Sequence, residues 1–497
     1  MTTLITPQRL GSLLRPRSVA LVGAADKSGF SQMAFRNLVE FGLGEHTHLV
    51  NRRGAPTHGR PTVTSCTQIT EPVDVAFMMV PQARTLDALA DAAAAGIRHA
   101  LVLSSGYADA GAAGQRAQAD LVACAESLGM LLAGPNHLGF ANFVDQIPVT
   151  AIPGLPHAAG PVALVSQSGM GASAMLDFAT MTGVGLSYLV TLGNEAMIAA
   201  GHVLDYLVGD EHTKTIALFL ETIRDPAVFA AAADRAAAAG KAVVVLKTGR
   251  SELSARMAAA HSGAVAGDDH TIDELLHDLG VIRVNSIEDL ILTAGAAAHL
   301  GRLARPGIGV VSISGGACDM IADHAVDLGA PLPALAQGTV AALTRIIPDY
   351  GTVQNPLDIT GAAVIDPAIF TQCIEVMSAD PSVGVVAVIN TLPWLADGQP
   401  WVGQVLADAV GAGASRARVP VICASQVMQP ITGYTRRVMA DARIPYAIPG
   451  LRHCAAALRN VGWWSEATRD KGVNVTATPL EGQQTHIHGG RGQPGGG

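Results

Sequence analysis

The chain has 497 residues, with 32 lysine and arginine residues against 41 aspartate and glutamate residues, which gives a formal net charge of −9. Apolar residues make up 49% of the chain and charged residues 15%, a balance that excludes an intrinsically disordered protein. Because lysine is scarce and aromatic residues amount to 4%, the chain offers neither a basic stripe nor a stacking platform, so we expect no nucleic-acid partner. Apolar runs such as TIALFL fall far short of the roughly 18 residues of a membrane-spanning helix, and no membrane partner is expected.

In the first part of the chain, short β-rich runs alternate with alanine-rich helical stretches. This alternation predicts an α/β protein built from parallel sheets covered by helices. The predicted strands lie at 17–23, 47–50, 74–80, 98–103 and 130–133, and the predicted helices near 31–41, 82–95 and 112–128. A stretch rich in proline and glycine then follows at 144–160, and it predicts a domain boundary without regular structure.

The same alternation begins again twice after this boundary, so the length accommodates three domains at about 100–200 residues each. The second segment has predicted strands at 161–166, 186–191, 214–220 and 242–247 and helices near 270–279 and 286–299. After a break at 301–307, the third has predicted strands at 308–313, 383–390 and 419–424 and a final helix near 449–460. The glycine-rich polar end of the chain predicts a disordered tail.

Two turns between a strand and a helix have the character of phosphate sites. The first contains Gly23 and Lys27, and the second contains Ser168 and Gly169, where backbone N–H groups at a helix start favour an anion. The second turn also matches G-x-G-x-x-[GA], but an NAD site would need an acidic residue about 20 residues further on, and the candidate is Glu195 in a turn. An ordinary turn remains the alternative for the first of them.

Two further residues are candidates for covalent chemistry. His261 lies in a loop of small residues, which lets the imidazole approach other groups closely, and its neighbours lack the spacing of a metal site, so no metal is predicted. Cys318 follows a strand at a predicted helix start, where a thiolate is one interpretation and a small buried residue the other. The six cysteines form no CxxC pair, so we expect reduced thiols and a cytoplasmic location.

A series of motifs in a fixed order makes the chain resemble the NDP-forming (ADP-forming) acyl-CoA synthetases, and specifically the alpha-type subunit related to the succinyl-CoA synthetase alpha subunit. The motifs are RSVALVGAADKSGFSQMAFRNL, SSGYAD, AGPNHLGFAN, VALVSQSGMGASAM, TLGNEA, IALFLETIRDPAVF, VVVLKTGRS, AAAHSGAVAGDD, SISGGACD and NPLDIT. The resemblance covers residues from about 10 to 460. It departs from the family pattern at His137, which replaces a cysteine, at Met197, which replaces an aspartate, and at Ala260 and Ser262, which flank the histidine.

The resemblance implies a domain plan and a set of site residues. It implies a Rossmann-like CoA-binding domain at 1–150, a flavodoxin-like ligase domain with a phosphohistidine loop at 151–302, a second flavodoxin-like ligase domain at 303–465 and the tail at 466–497. The implied catalytic residues are His261, which is phosphorylated, and Glu221, which orients it. The implied ligand residues are Ser168, Gly169 and Gly263 for phosphate, Gly23, Ala24, Lys27, Asn51, Val80, Pro81, Ser105 and Gly106 for CoA, and Asn136 and Gly139 for the acyl and thioester region.

The implied reaction is acid + CoA + ATP to acyl-CoA + ADP + phosphate, through an acyl phosphate and a phosphohistidine. The cofactors are coenzyme A and ATP/ADP with Mg²⁺, the nucleotide being bound mainly by a separate ATP-grasp β-type subunit, and we expect an oligomer. The substrate is a small carboxylic acid. Two alternatives remain open: a non-catalytic CoA- or acyl-CoA-binding regulatory protein on the same scaffold, and an NAD-dependent dehydrogenase.

Overall fold

The computed structural model of the chain describes residues 5–251, 253–254, 269–395 and 400–471. In this part of the chain, three β-sheets follow one another in sequence. Their central strands are buried over their full length, as the continuous apolar runs of the sequence predict for sheets covered on both faces. The α/β class is confirmed.

The first sheet is parallel throughout, with the strand order β2-β1-β3-β4-β5. Its strands are β1 Val19–Val22, β2 Thr47–Val50, β3 Val75–Met78, β4 His99–Val102 and β5 Leu131–Ala133. The accompanying helices are α1 Pro7–Leu14, α2 Gly29–Glu40, α3 Thr85–Ala94 and α4 Gly111–Ser127. The predicted elements agree with these bounds to within a few residues, except α1, which has no counterpart among them.

The second sheet has seven strands in the order β12-β11-β10-β8-β9-β6-β7. Its strands are β6 Gly139–Asn142, β7 Ile147–Thr150, β8 Val162–Ser166, β9 Leu186–Thr191, β10 Thr215–Leu220, β11 Ala242–Lys247 and β12 Ile282–Val284. Its helices are α5 Gly169–Met181, α6 Ala200–Val208, α7 Pro226–Ala238, α8 Asp269–Asp278 and α9 Ile287–Leu300. Strands β6 and β7 are antiparallel, so this sheet is mixed.

The hairpin formed by β6 and β7 differs from the prediction that residues 144–160 lack regular structure. Through β6 it pairs with β9, so residues 139–150, which the sequence analysis groups with the first domain, extend the second sheet. Pro148 is tolerated because β7 is an edge strand, where a missing N–H donor costs no ladder bond on the open side. The proline therefore marks a sheet edge and not a break in structure.

The third sheet is again parallel, in the order β14-β13-β15-β16-β17. Its strands are β13 Ile308–Ser312, β14 Leu357–Asp358, β15 Val385–Ile389, β16 Val421–Ser425 and β17 Ala447–Pro449. Its helices are α10 Gly315–Leu328, α11 Gln337–Thr344, α12 Ala362–Ile365, α13 Ala368–Ser378, α14 Pro400–Arg416, α15 Gly433–Ala442 and α16 Leu451–Ala467. Helix α16 continues past the predicted end at 460, and residues 472–497 of the predicted tail lie outside the described residues.

Strands β1, β8 and β13 each lie between two other strands of their sheets, and a serine caps the helix that follows each of them. The hydroxyl oxygens of Ser28, Ser168 and Ser314 accept hydrogen bonds from backbone N–H groups in the first turns of α2, α5 and α10. In each sheet, the next two strands of the chain pair with opposite sides of β1, β8 or β13. Each capped helix therefore starts at a point where the strand order reverses. Ligands of open α/β sheets bind at such points, outside the carboxyl ends of the strands.

The packing between the sheets fixes these edges relative to one another. One hydrophobic core joins the first and second sheets, with Leu10 of α1 and Leu204 of α6 in the same buried cluster. A second core joins the second and third sheets through Ile291 of α9 and Trp464 of α16. Among the described residues, no helix is long and apolar enough to cross a lipid bilayer.

Candidate active site

A cavity of about 430 Å³ lies where the carboxyl edges of the first and second sheets meet. Its walls come from the turn after β5, the start of α5, the turn after β9 and the segment after β10. The lining residues are Phe30, Asp109, Asn136, Leu138, Gln167, Ser168, Gly169, Met170, Gly193, Asn194, Glu221, Thr222 and Arg224. Four residues predicted from the sequence, Asn136, Ser168, Gly169 and Glu221, are therefore in one cavity.

The start of α5 is shaped to face this cavity. The side-chain oxygen of Ser168 caps the helix by accepting from the N–H of Gly171 over 3.1 Å. A Cβ at Gly169 would lie 2.7 Å from the Cδ1 atom of Leu138, so a glycine is required for the helix to approach that side chain. The positive end of the helix dipole thus meets the cavity, which is the arrangement that favours a bound phosphate.

Glu221 is placed by the side chain of Gln167, a residue for which no role was predicted from the sequence. Oε1 of Gln167 accepts hydrogen bonds from the backbone N–H groups of Glu221 and Thr222, and Nε2 donates to the carbonyl of Thr222 over 2.8 Å. Gln167 therefore holds the end of β10 at a fixed distance from the start of α5. Its position between the two serines of the SQSG motif was the available sequence signal.

Glu195 is buried behind Gln167, with 1% of its side chain exposed. Its Oε1 accepts from the N–H of Ala200 over 2.8 Å and its Oε2 from Nε2 of Gln167 over 2.7 Å. Burial raises the pKa of this carboxyl to about 7, against the opposing effects of Ala200, Arg224 and Gln167. Both oxygens of Glu195 are hydrogen-bonded inside the protein, so the residue is not available to bind a ribose. The dinucleotide site therefore lacks its candidate acidic residue.

Asn136 lies in a turn that interlocks with the turn after β9. Its φ is 58°, and the bond between Gly134 and Pro135 is cis. The N–H of Asn194 donates to the carbonyl of Pro135 over 2.9 Å, and a Cβ at Gly193 would lie 2.2 Å from that same oxygen. Domains one and two therefore meet here backbone to backbone, and Gly193 is the residue that permits it.

A polar cluster behind this turn ties it to the loop after β4. The side chain of Asn194 donates to Oδ1 of Asp109 over 2.8 Å and to Oε1 of Gln118 over 3.1 Å. Burial raises the pKa of Asp109, but hydrogen bonds from Asn194 and from the amides of Gly106 and Tyr107 outweigh it and hold that pKa below its ordinary value. The cluster thus contains an ionised carboxylate at neutral pH.

His137 replaces the cysteine of the family motif, and its ring is fully buried. Nδ1 lies 3.1 Å from the hydroxyl of Thr191, which itself donates to the carbonyl of Gly139, so Nδ1 carries the proton. Nε2 has no hydrogen-bond partner among the described residues. Burial lowers the pKa of His137 to about 4, and the ring is neutral at physiological pH.

Gly139, which the resemblance assigns to the acyl and thioester region beside Asn136, is the first residue of β6. It pairs with Thr150 at the start of β6, and a Cβ there would come within 2.1 Å of the carbonyl of Val149. It is not among the residues that line the cavity. The glycine serves the close packing of the hairpin.

The residues predicted to bind CoA share one edge of the first sheet. They follow its strands β1 (Gly23, Ala24, Lys27), β2 (Asn51), β3 (Val80, Pro81) and β4 (Ser105, Gly106). Gly23 permits a close approach of two of these loops, since a Cβ there would lie 2.8 Å from Cγ1 of Val80. Asn51 fixes a third loop by donating to the carbonyl of Ala24 over 2.9 Å. The side chain of Lys27 is exposed at this edge.

This edge adjoins the cavity, because the N–H of Asn136 donates to the carbonyl of Ser104 over 3.0 Å. His261 and Gly263 lie outside the described residues. Strand β11, which precedes them in the sequence, ends at Lys247 directly beside Leu220, the residue before Glu221.

Of the two interpretations of Cys318, a reactive thiolate or a small buried residue, the structure favours the second. This cysteine is 6% exposed, inside α10, and burial together with the charge of Asp358 raises the pKa of its thiol to about 12. A thiolate is therefore disfavoured, and the residue is a small buried side chain. Within the described residues, no group of three or more histidine, cysteine or acidic side chains is arranged to hold a metal ion.

Fold and site together define a two-part architecture, in which a CoA-binding Rossmann-like domain precedes a flavodoxin-like ligase domain. Family models confirm both parts: residues 17–142 match a CoA binding domain, and residues 159–297 match a succinyl-CoA ligase like flavodoxin domain. The chain is 30% identical over 387 residues to the alpha subunit of an ADP-forming acetate–CoA ligase I from Pyrococcus furiosus, covering 76% of this chain and 82% of that subunit. The chain belongs to the ADP-forming acyl-CoA synthetase family.

Other relatives extend this comparison. A trans-feruloyl-CoA synthase from an unidentified prokaryote and an ADP-forming acetate–CoA ligase I from Archaeoglobus fulgidus are each 32% identical over 78% and 76% of this chain. The chain spans about half the length of these two relatives, at 56% and 54%. A solved acetyl-CoA synthetase from Candidatus Korarchaeum cryptofilum, in complex with phosphate and ADP, superposes with a TM-score of 0.80 at 25% identity, covering 93% of this chain and 97% of that one.

Proposed function

We propose that the chain is the CoA-binding, histidine-phosphorylated subunit of an ADP-forming acyl-CoA synthetase. The overall reaction is acid + CoA + ATP to acyl-CoA + ADP + phosphate. The observation that carries the proposal is the shared cavity, in which the capped start of α5 at Ser168, the carboxylate of Glu221 and the turn at Asn136 lie together beside the edge proposed for CoA. The names of the relatives support the reaction class.

In this proposal, His261 carries the phosphoryl group between the nucleotide and the acid. A carboxylate oxygen of the acid attacks phosphorus, the P–N bond to His261 breaks, and an acyl phosphate forms. The sulfur of CoA then attacks the carbonyl carbon, the C–O bond to phosphate breaks, and the departing phosphate takes the thiol proton. The products are acyl-CoA and inorganic phosphate.

The described residues have distinct tasks in these steps. Glu221 accepts the N–H of the His261 ring, which fixes the tautomer and stabilises the positive charge of the phosphorylated imidazole. The N-terminus of α5 at Ser168 and Gly169 receives the phosphate oxygens. Asn136, on the first domain's side of the cavity, lies next to the loop that would hold the CoA thiol end.

The nucleotide and its Mg²⁺ are assigned to an ATP-grasp β-type subunit, with which this chain forms an oligomer. The high coverage of the Pyrococcus furiosus alpha subunit supports this assignment. Mg²⁺ would neutralise the transferred phosphoryl group on that subunit.

The test uses the half of the reaction that needs no nucleotide. The purified chain is incubated with ³²P-phosphate and acetyl-CoA, butyryl-CoA or an aryl acyl-CoA, and protein-bound label is assayed for acid lability and base stability. We expect a phosphohistidine in the wild type, none in His261→Asn, and slower labelling with unchanged CoA affinity in Glu221→Gln. The matched control is His212→Asn, an exposed histidine before β10 at the opposite end of the sheet.

Labelling from ATP, after a candidate ATP-grasp subunit is added, tests the other half-reaction. A chain that binds CoA in calorimetry, yet is labelled neither by acyl-CoA with phosphate nor by ATP with the partner, would be the non-catalytic CoA-binding protein. Equal labelling of the wild type and His261→Asn would contradict the assignment of the phosphorylated residue.

A further inference from the structure

We propose that a groove along α4 holds the organic chain of the acid and that Arg224 holds its reacting anionic end. This inference rests on the proposed function and names a substrate class for it. The groove has a volume of about 490 Å³ and is separate from the cavity that contains Glu221. Its lining residues are Ala108, Gln115, Gln118, Ala119, Val122, Ala123, Glu126, Ala196 and Arg224.

The groove follows one face of a helix. The α4 residues that line it recur at intervals of three and four, the spacing that places side chains on one face. At about 1.5 Å per residue, the distance along the helix from Gln115 to Glu126 is roughly 16 Å. The second wall is formed by Ala196 and Arg224 of the second domain. A groove of this length is far longer than bound acetate would occupy. Its volume lies within the usual range for small-molecule sites.

Arg224 is the one described residue that lines both the groove and the cavity. Its Nε atom lies 3.6 Å from Oε2 of Glu195, an oxygen that already accepts from Gln167 over 2.7 Å. Among the described residues, its guanidinium makes no closer polar contact. The remaining N–H groups are therefore available to an anion, and a guanidinium binds a carboxylate or a phosphate through paired hydrogen bonds.

The remainder of the boundary between groove and cavity is closed by side-chain hydrogen bonds. Asn194 donates to both Asp109 and Gln118, and the N–H of Ala108 donates to Gln118 over 3.3 Å. Because these groups are paired with one another, Arg224 marks the point at which a ligand could extend from one space into the other. An acid bound there would place its carboxylate at the cavity and its organic chain in the groove.

The chemistry of the walls selects the kind of acid. Ala119, Val122 and Ala123 leave room and offer apolar contact, while Gln115 supplies an amide for a neutral polar substituent. The carboxylate of Glu126 would repel a second negative charge on the ligand. The groove therefore favours a monocarboxylic acid with a bulky, uncharged group, such as an aryl acid, over a dicarboxylic acid.

The test compares two acyl-CoA probes in the ³²P-phosphate labelling of the chain, acetyl-CoA and benzoyl-CoA. In Ala119→Phe and Ala123→Phe the added ring occupies the groove, and we expect the ratio of kcat/KM for benzoyl-CoA to that for acetyl-CoA to fall about tenfold. The matched control is Ala113→Phe, because Ala113 is also an exposed alanine of α4 but does not line the groove. The ratio should stay at the wild-type value in this control.

Arg224 is tested in the direction of acyl-CoA formation, with ATP, CoA and the candidate ATP-grasp subunit. In Arg224→Gln we expect the KM for acetate and for benzoate to rise about tenfold while the affinity for CoA itself is retained, with partial recovery in Arg224→Lys because the charge is restored. An unchanged KM in Arg224→Gln, or an unchanged ratio in both groove variants, would overturn the inference while acetyl-CoA labelling still upheld the proposed function. Absence of label with every acyl-CoA in the wild type would instead refute the proposed function, and this inference with it.

Discussion

Nε2 of Gln167 donates to Oε2 of Glu195 over 2.7 Å while Oε1 of Gln167 accepts the backbone N–H of Glu221. A buried carboxylate thus fixes the amide, and the amide fixes the main chain that carries the proposed orienting carboxylate of the site. Since Oε1 already accepts two N–H groups, the amide cannot flip without losing them. Glu195 and Gln167 are positioning residues for Glu221.

The first prediction concerns Gln167→Ala. The substitution removes three hydrogen bonds that join the start of α5 to the residues after β10 and a fourth that joins it to Glu195. We expect phosphohistidine formation to slow by about tenfold to a hundredfold, because a small misplacement of a reacting group is enough for a loss of that size. Stopped-time ³²P labelling measures the rate. Calorimetry should give an unchanged Kd for CoA, since the CoA edge is formed by the first sheet.

The control for this experiment is Gln8→Ala, which removes an exposed glutamine in α1. It should be labelled at the wild-type rate. If Gln167→Ala is also labelled at that rate, Gln167 does not position Glu221 for the reaction.

The second prediction is a pH dependence of stability caused by Glu195. Because burial raises its pKa from 4.5 to about 7, the folded protein binds this proton more tightly than the unfolded chain does. The stabilisation is complete below pH 4.5 and is lost as the pH rises through 7, and it amounts to roughly 3 kcal/mol in total. In Glu195→Gln this group no longer titrates. The melting temperature of the variant relative to wild type should therefore rise by about 5 °C between pH 5 and pH 8.

Differential scanning calorimetry at the two pH values measures this difference. Exposed Glu45→Gln is the matched control, and its melting temperature should stay parallel to that of the wild type. A Glu195→Gln curve that also runs parallel to the wild type would show that Glu195 titrates normally.

Local sequence patterns predicted the long, continuously buried strands well and several short strands poorly. Strand β9 occupies the predicted range because its six residues are all buried and form one continuous β-rich run. Strands β12, β14 and β17, which have two or three residues each and form sheet edges, were not predicted, whereas β5, an edge strand of three residues, was. A run of that length has no measurable periodicity, and its pairing partner is distant in sequence.

The site shows the same division between local and long-range information. Ser168 and Asn136 belong to short motifs, and their relation to a strand end or a tight turn is local. Gln167 could be recognised as important only once β10 was known to lie beside β8, because its partners are 54 and 55 residues away. Arg224 belongs to the motif IALFLETIRDPAVF, but the motif did not indicate its proposed role, which depends on a groove formed with another domain.

The third prediction concerns His137. Burial lowers its pKa to about 4, so between pH 6.5 and pH 4 the unfolded chain binds a proton that the folded protein does not. Folding stability is therefore lost as the pH falls through this window, by roughly 3 kcal/mol. His137→Cys, which restores the residue of the family motif, removes this loss and also the unpaired buried Nε2. The melting temperature of the variant relative to wild type should rise by about 5 °C from pH 7 to pH 5.

His212→Cys is the control, since His212 is exposed and should leave the acid sensitivity as it is. If His137→Cys loses stability in acid as steeply as the wild type, another group is responsible for the acid sensitivity.

The last prediction tests the contact between the first two domains. At Gly193 the φ is 59°, and an added Cβ would lie 2.2 Å from the carbonyl oxygen of Pro135 and 2.4 Å from that of Asn136. Because both obstacles are backbone atoms, Gly193→Ala must separate the two turns, and we expect a loss of at least about 2 kcal/mol. Gly154→Ala is the matched control, with a φ of 71° and no atom within 4 Å of the added Cβ, so it carries the backbone strain without the clash. Chemical denaturation should show the larger loss in Gly193→Ala, accompanied by slower phosphate labelling because Asn136 and Asn194 both shift. Equal losses in the two variants would mean that backbone strain alone sets the requirement for glycine and that the turns can separate at little cost.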